Sequence, residues 1–148
     1  MKKAYSRLPL DEYFLSIAEL VAHRGTCLRR RVGCVLVNSE KHIVATGYNG
    51  VPKTFPHCFD QPCEGATSPS GVDLDKCLAV HAEVNAFLQL QDRTSDLTAY
   101  ITTTPCFSCA KMIANSPVKK IVSRSWYAHT EVREILHAAK ISVITYDS

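Results

Sequence analysis

The chain has 148 residues, 46% of them hydrophobic and 21% charged, which is enough for one globular domain and too little for two of ordinary size. Its net charge of +3 is too small to indicate a nucleic-acid partner. No apolar stretch approaches the roughly 18 residues that a membrane span needs, and the chain starts with polar residues rather than with the apolar segment of a signal peptide. We therefore expect a single cytoplasmic domain over residues 1–148, with no membrane or nucleic-acid partner.

Seven cysteines are many for a chain of this size, and their number is odd. Without a secretory signal, such enrichment indicates thiolate chemistry or metal binding rather than disulfides. The composition therefore favours a metalloprotein.

The first predicted element is a helix over residues 11–24, because apolar residues recur there at helical spacing, Asp11 can cap its start and Gly25 can end it. Two β-rich runs follow at 32–37 and 42–46, and the polar residues between them form a connector of hairpin length. These runs predict two antiparallel strands.

The next segment, at about 48–77, has four prolines and several glycines but no hydrophobic periodicity. A structureless loop of this length is unusual in a compact domain, so something other than a hydrophobic core should hold it.

Helix and strand patterns alternate over the rest of the chain, which is typical of crossovers above a largely parallel sheet. Together with the initial hairpin they predict an α/β fold of three layers, in which a five-stranded mixed sheet has helices on both faces. The predicted helices are 81–91, 106–115 and 130–139, and the predicted strands are 99–103, 120–123 and 142–146.

Two short motifs carry residue types that bind metal. Cys106 and Cys109 are three residues apart at the predicted start of a helix, so their sulfurs face one way and the helix N-terminus favours their thiolate forms. With His81 they make a donor set that suits Zn²⁺ and leaves the fourth tetrahedral position open to water. Glu83 can point at that water as a proton shuttle. A non-catalytic zinc module would have no use for the open position or for Glu83.

The spacing of His81-Ala-Glu83 and of Pro105-Cys-Phe-Ser-Cys109 is that of the zinc nucleobase deaminases. Over most of its length the sequence closely resembles the deoxycytidylate (dCMP) deaminase family. The zinc motif alone fits any deaminase of the superfamily, whereas Gly47-Tyr-Asn-Gly50 and the cysteine-containing insertion at 58–77 resemble the members that act on dCMP. The matching runs are 26–33, 47–52, 81–86 and 104–111, together with His57, Cys58 and Cys77.

This resemblance implies a cytidine deaminase-like fold and hydrolytic removal of ammonia from C4 of dCMP to give dUMP, the precursor of dTMP. His81, Cys106 and Cys109 would hold the zinc, and Glu83 would carry a proton from the bound water to N3. No organic cofactor is needed. A deaminase of another substrate, such as free cytidine or tRNA adenosine, would use the same four residues and remains the alternative interpretation.

Four of the remaining cysteines lie after the first predicted helix or in the long loop: Cys27, Cys58, Cys63 and Cys77. All four, or three of them with His57, can clamp a second, structural zinc that orders the loop, and some members of the family resemble this pattern. Their irregular spacing is equally that of scattered free thiols. Cys34 lies within an apolar strand and is expected to be a small core residue.

The family resemblance also implies contacts to the nucleotide. Arg29 is our prediction for the phosphate, with Arg30, Arg31 and Lys53 as the next candidates. Because side chains alternate in direction along an extended chain, the three consecutive arginines cannot all point inward.

Asn49 matches the family residue that holds the sugar. Tyr127 can close over the nucleotide, or it can belong to the core or to an interface. Members of the family are commonly homohexamers that dCTP activates and dTTP inhibits, often with Mg²⁺ on the triphosphate. We carry these properties over as expectations of the class.

Overall fold

The computed structural model describes residues 6–69, 72–126 and 129–147, and within them the chain forms four α-helices and five strands. No helix in this part of the chain is long and apolar enough to cross a membrane. The helices are α1 (Leu10–Ala22), α2 (Ala82–Gln89), α3 (Phe107–Ala114) and α4 (Thr130–Ala138). The strands are β1 (Gly33–Asn38), β2 (Ile43–Tyr48), β3 (Leu97–Thr103), β4 (Val118–Ser125) and β5 (Ser142–Thr145).

The five strands form one mixed sheet in the order β2-β1-β3-β4-β5. Strand β1 pairs antiparallel with both β2 and β3, whereas β3, β4 and β5 run parallel to one another. The initial hairpin and the mixed five-stranded sheet are therefore confirmed.

Two hydrophobic clusters cover the two faces of the sheet. Leu15 of α1 packs with Val35 on one face. The other three helices bury Ala86, Ile113 and Leu136 in the cluster on the opposite face. Helices on both faces give the predicted three layers.

The prediction that Asp11 caps α1 is wrong. The helix starts at Leu10, and Pro9 occupies the N-cap position. The Asp11 carboxylate instead accepts hydrogen bonds from the hydroxyls of Tyr100, at 2.8 Å, and Tyr146, at 3.1 Å. Both partners are distant in sequence, so tertiary contacts decide the role of this residue.

The predicted helices at 81–91 and 106–115 begin one residue too early. His81 and Cys106 have extended backbone, with ψ of 151° and 172°, and each is the N-cap of its helix. Both are thus the last non-helical residues of the chain that enters each helix. The first helix also ends early, at Ala22 rather than at residue 24, with His23 as its C-cap.

The chain between β2 and α2 forms the predicted long loop, in which the described residues adopt 3₁₀ turns at Glu64–Thr67 and Leu74–Lys76. Close packing at its two ends sets the position of α2. A Cβ on Gly47 would lie 2.2 Å from the carbonyl oxygen of Ala82 and 2.4 Å from the nitrogen of Ala86, so only glycine fits there. The N-terminus of α2 is therefore pressed directly against β2.

Candidate active site

The residues predicted to carry the chemistry meet beyond the C-terminal end of β3, the central strand of the sheet. His81 and Glu83 lie there at the start of α2, and Cys106 and Cys109 lie there at the start of α3. His81, Glu83 and Cys106 line a common cleft. Two helix N-termini therefore deliver the site from two separate parts of the chain.

His81, Cys106 and Cys109 form a compact group of metal-ligating atoms. The Nδ1 atom of His81 lies 3.4 Å from the sulfur of Cys106 and 3.3 Å from that of Cys109. All three ligand atoms lie within 4.8 Å of one another, and this is the one such group of three or more His, Cys, Asp or Glu residues in the described chain. One imidazole and two sulfurs at this spacing match the donor set of a zinc site with three protein ligands.

Hydrogen bonds inside the group favour a thiolate at Cys106. The Cys109 thiol and the His81 ring lower the pKa of Cys106. The Cys106 sulfur in turn raises the pKa of His81, and it raises the pKa of Cys109 together with burial. The thiolate is the metal-binding form of cysteine, so these contacts favour the form in which Cys106 would bind a metal.

Glu83 is a buried carboxyl, only 4% exposed, at the start of α2. Burial raises the pKa of this carboxyl, and this effect outweighs the opposing influence of its backbone hydrogen bond and of His81. A buried carboxyl with a raised pKa can accept a proton and return it, which is the role of a general acid and base.

The three arginines before β1 line two different depressions. Arg29 and Arg30 line the cleft that contains Glu83. Arg31 lines a different depression, beside α1. Lys53 is exposed on the long loop and is not among the residues that line the cleft. Arg29 and Arg30 thus lie where a charged end of a ligand in this cleft would meet them.

Arg29 also fastens the long loop. Its Nη1 donates hydrogen bonds to the carbonyl oxygens of Pro69, at 3.1 Å, and of Val72. A guanidinium has five N–H donors, so these bonds use only part of its capacity. Arg29 therefore joins the rim of the cleft to the loop that borders it.

Asn49 lies just beyond β2, is 8% exposed and lines the cleft. Its Oδ1 accepts a hydrogen bond from the backbone N–H of Val32, at 2.8 Å, and its Nδ2 donates to the carbonyl oxygen of Arg30, at 2.7 Å. The protein itself therefore holds this side chain in place. Tyr127, predicted to close over a nucleotide, lies outside the described residues, and its role stays a prediction.

The loop cysteines gather around a second, smaller cavity, which all four of them line: Cys27, Cys58, Cys63 and Cys77. The sulfurs of Cys58 and Cys63 are 3.9 Å apart, and a backbone hydrogen bond from Leu78 lowers the pKa of Cys63. His57 is exposed and is not among the described residues lining this cavity. The predicted cysteines thus converge without reaching the three-ligand spacing of the first group, and a second zinc stays a prediction.

Sequence reasoning assigned no role to Thr103 or Thr104, two polar residues that line the cleft, and it placed Cys27 and Cys77 only in the second zinc site. Thr103 and Thr104 are buried where β3 ends, and their position just before Pro105-Cys106 is the signal that could have found them. Cys27 and Cys77 line both the cleft and the cysteine cavity, so the two cavities share a wall. Cys34, in contrast, is fully buried in β1, which confirms it as a core residue.

Comparison with known proteins finds a matching family and similar deaminases from yeast and from a phage. Residues 9–125 match the family described as the cytidine and deoxycytidylate deaminase zinc-binding region. The deoxycytidylate deaminase of Saccharomyces cerevisiae is 38% identical over 136 residues, which are 90% of this chain and 43% of the yeast protein. The deoxycytidylate deaminase of a Mycobacterium phage is 37% identical over 123 residues, which are 79% of this chain and 95% of the phage protein. The chain therefore spans less than half the length of its yeast relative.

The fold agrees with these relationships. The dCMP deaminase of cyanophage S-TIM5, whose crystal structure contains dCMP and dUMP, superimposes with a TM-score of 0.76 and 27% sequence identity over 95% of this chain and 99% of that chain. The family match covers most of the sequence and includes His81, Glu83, Cys106 and Cys109. The chain belongs to the cytidine and deoxycytidylate deaminase zinc-binding family.

Proposed function

We propose that this chain catalyses the hydrolytic deamination of dCMP to dUMP and ammonia, a step that supplies the precursor of dTMP. The observation that carries the proposal is the group of His81, Cys106 and Cys109 beside buried Glu83, in a cleft that Arg29 and Arg30 also line. The similarity to deoxycytidylate deaminases of yeast and phage supports dCMP as the substrate within the family.

The donor chemistry of the site fits zinc. His81 Nδ1 and the sulfurs of Cys106 and Cys109 would hold the ion and leave one tetrahedral position for water, as in catalytic zinc sites. Zinc bound there supplies the Lewis acidity that makes water nucleophilic at neutral pH.

Glu83 is the proposed proton carrier. It accepts a proton from the water that attacks C4 of the cytosine ring and delivers that proton to N3, so that C4 bears both a hydroxyl and an amino group. A second proton transfer from the hydroxyl to the amino group allows ammonia to leave and the C4 carbonyl of dUMP to form. Burial of Glu83 keeps competing bulk water away from this carboxyl.

The rest of the cleft accounts for the nucleotide. Arg29 and Arg30 supply positive charge for the 5′-phosphate, and charge-assisted hydrogen bonds from arginine are well matched to phosphate oxygens. Asn49 lines the same cleft as the arginines and the metal-ligating group, which suits its proposed contact with the sugar. Tyr127 is proposed to close over the bound nucleotide.

Ammonia release from dCMP, dCTP, cytidine and a tRNA substrate, measured side by side on one zinc-loaded preparation, tests the proposal. We expect the highest kcat/KM with dCMP. A higher value with cytidine would make the chain a nucleoside deaminase, and a higher value with tRNA would make it a polynucleotide deaminase. Either result would overturn the monophosphate assignment while leaving the zinc chemistry intact.

The proposal has further parts, which rest on the resemblance to the dCMP deaminase family. They are a homohexamer, activation by dCTP, inhibition by dTTP and Mg²⁺ on the effector triphosphate. Light scattering and rate measurements with each triphosphate, with and without Mg²⁺, test them. A cytoplasmic location is supported by the seven cysteines, none of which forms a disulfide in the structure.

A second, structural zinc is also proposed. Its ligands would be Cys27, Cys58, Cys63 and Cys77, with His57 as a substitute for one of them. The shared cavity of the four cysteines supports it.

A further inference from the structure

Asn49 fastens the end of β2 to the segment that carries the arginines, residues 26–32, which we call the arginine segment. Its backbone accepts a hydrogen bond from Thr26 N–H, at 3.2 Å, and donates one to Val32 O, at 3.3 Å. Its side chain adds the bonds to Val32 N–H, at 2.8 Å, and to Arg30 O, at 2.7 Å. Four hydrogen bonds from one residue therefore fix this segment against the wall of the cleft.

The next residue connects the same point to the metal-ligating end of the cleft. Gly50 donates a backbone hydrogen bond to Val80 O, at 3.2 Å, and accepts one from Val80 N–H, at 2.8 Å. Val80 directly precedes His81. Asn49 and Gly50 are thus the short link between the arginine segment and the chain that carries the first proposed zinc ligand.

Building on the proposed function, we propose that Asn49 is a positioning residue: its side-chain amide sets the distance from the arginines to the metal-ligating group, so that a nucleoside 5′-monophosphate spans both. An amide has two N–H donors and two acceptor lone pairs, and the bonds to Arg30 and Val32 use one of each. The same side chain can therefore also bind a sugar hydroxyl, and the two roles are separable by experiment.

The two roles predict different substrate dependence. A contact with the sugar alone would act equally on dCMP and deoxycytidine, because both carry the same sugar. Positioning of the arginine segment matters only where a phosphate is bound. Loss of the amide through positioning should therefore reduce the preference for dCMP over deoxycytidine.

Asn49→Ala and Asn49→Asp are the test variants. Asn49→Asp keeps the shape of the side chain and the acceptor for Val32, but it places an oxygen in front of the Arg30 carbonyl where a donor is needed. We expect both variants to lose about tenfold more kcat/KM with dCMP than with deoxycytidine. The inhibition constants of dUMP and deoxyuridine should move in the same ratio, which gives a readout that does not require turnover of deoxycytidine.

Asn38→Ala is the matched control. Asn38 also ends a strand and accepts backbone hydrogen bonds through its Oδ1, from Glu40 at 3.1 Å and from His42 at 2.9 Å, but it lies at the opposite end of β1 from the cleft. Its loss should leave the preference for dCMP unchanged.

A double-mutant cycle completes the experiment. In an Arg29→Ala, Arg30→Ala background, Asn49→Ala should lose its extra effect on dCMP, because the groups that it positions are gone. Equal losses on dCMP and deoxycytidine, additive with the arginine changes, would overturn the positioning role. Absence of dCMP deamination by the wild-type protein would instead defeat the proposed function, and faster hydrogen exchange of the Val32 amide in Asn49→Ala would then still show whether Asn49 holds the segment.

Discussion

Two groups of cysteines in this molecule are held in different ways. Cys106 and Cys109 lie at the start of α3, and their partner His81 lies at the start of α2, so regular elements packed on the sheet fix all three. Cys58 and Cys63 lie in a long loop whose described part contains only short 3₁₀ turns.

The difference shows what a scaffold contributes to a metal site. The first group reaches ligand spacing in the protein alone, because the hydrophobic core has already met the entropic cost of ordering its elements. The loop cysteines surround a cavity without reaching that spacing, and metal binding would have to offset the cost of ordering the loop. We therefore expect the first group to govern activity and the second to govern stability.

Glu83→Gln is the substitution expected to have the largest effect on activity. Because Glu83 is proposed to carry protons without binding metal, the variant should lose about 10²- to 10⁴-fold in kcat with zinc content and folding unchanged. Steady-state ammonia release and metal analysis on the same sample measure both. Glu131→Gln, which replaces an exposed glutamate in the first turn of α4, is the control and should be fully active. Near wild-type turnover by zinc-loaded Glu83→Gln would remove Glu83 from the mechanism.

Cys77→Ser tests the loop group. Protein purified without added metal should contain two zinc ions per chain, and this variant should lose one of them together with thermal stability, because a structural zinc contributes directly to folding. Cys34→Ala, which removes a buried core thiol, should keep both ions. One zinc per chain, unaffected by Cys77→Ser, would return the loop cysteines to ordinary thiols.

Arg29→Ala tests the residue that both lines the cleft and contacts the long loop. The KM for dCMP should rise about 10- to 100-fold, and much less for deoxycytidine, because a charge-assisted contact to phosphate is lost. The bonds from Arg29 to Pro69 and Val72 predict that the loop also becomes more sensitive to protease. Arg31→Ala, in the neighbouring depression, is the control. An equal rise in KM for dCMP and deoxycytidine would show that Arg29 only holds the loop in place and does not contact the phosphate.

The smallest expected effect is on the scaffold itself. Burial raises the pKa of Asp11, but hydrogen bonds from Tyr100 and the charge of Lys120 outweigh it and leave the pKa lowered. A carboxyl whose pKa is lowered by folding stabilises the fold at pH values above its pKa in the unfolded chain, which is about 4. This contribution disappears as the pH falls through the pKa of the folded state.

Asp11→Asn should therefore lower Tm by about 3 °C at neutral pH, and the difference from wild type should shrink as the pH falls below the unfolded value of about 4 and through the folded pKa. Thermal melts across this range measure the effect, and Asp96→Asn, at an exposed carboxylate, is the control. A difference that stays constant with pH would show that the charge of Asp11 does not stabilise the fold.

The sequence predicts what is local in this molecule. The alternation of helix and strand patterns gives the sheet and its layers, and the spacing of Cys106 and Cys109 at a helix start gives their common direction. Long-range pairing is not encoded in any local pattern. The carboxylate of Asp11 contacts Tyr100 across 89 positions of the chain, and no spacing in the sequence indicates this pair. Asn49 meets Val32 because the β1–β2 hairpin pairs Gly33 with Tyr48, so the predicted hairpin brings these segments together but does not fix their register.

A zinc titration of metal-free protein, followed by ammonia release from dCMP, tests the central claim most directly. We expect activity to appear with zinc and to reach its plateau when the group of His81, Cys106 and Cys109 is filled. A Cys106→Ser variant should stay inactive at every zinc concentration. If fully zinc-loaded wild-type protein released no ammonia from dCMP, or if Cys106→Ser were as active as wild type, zinc-dependent deamination of dCMP at this site would be contradicted.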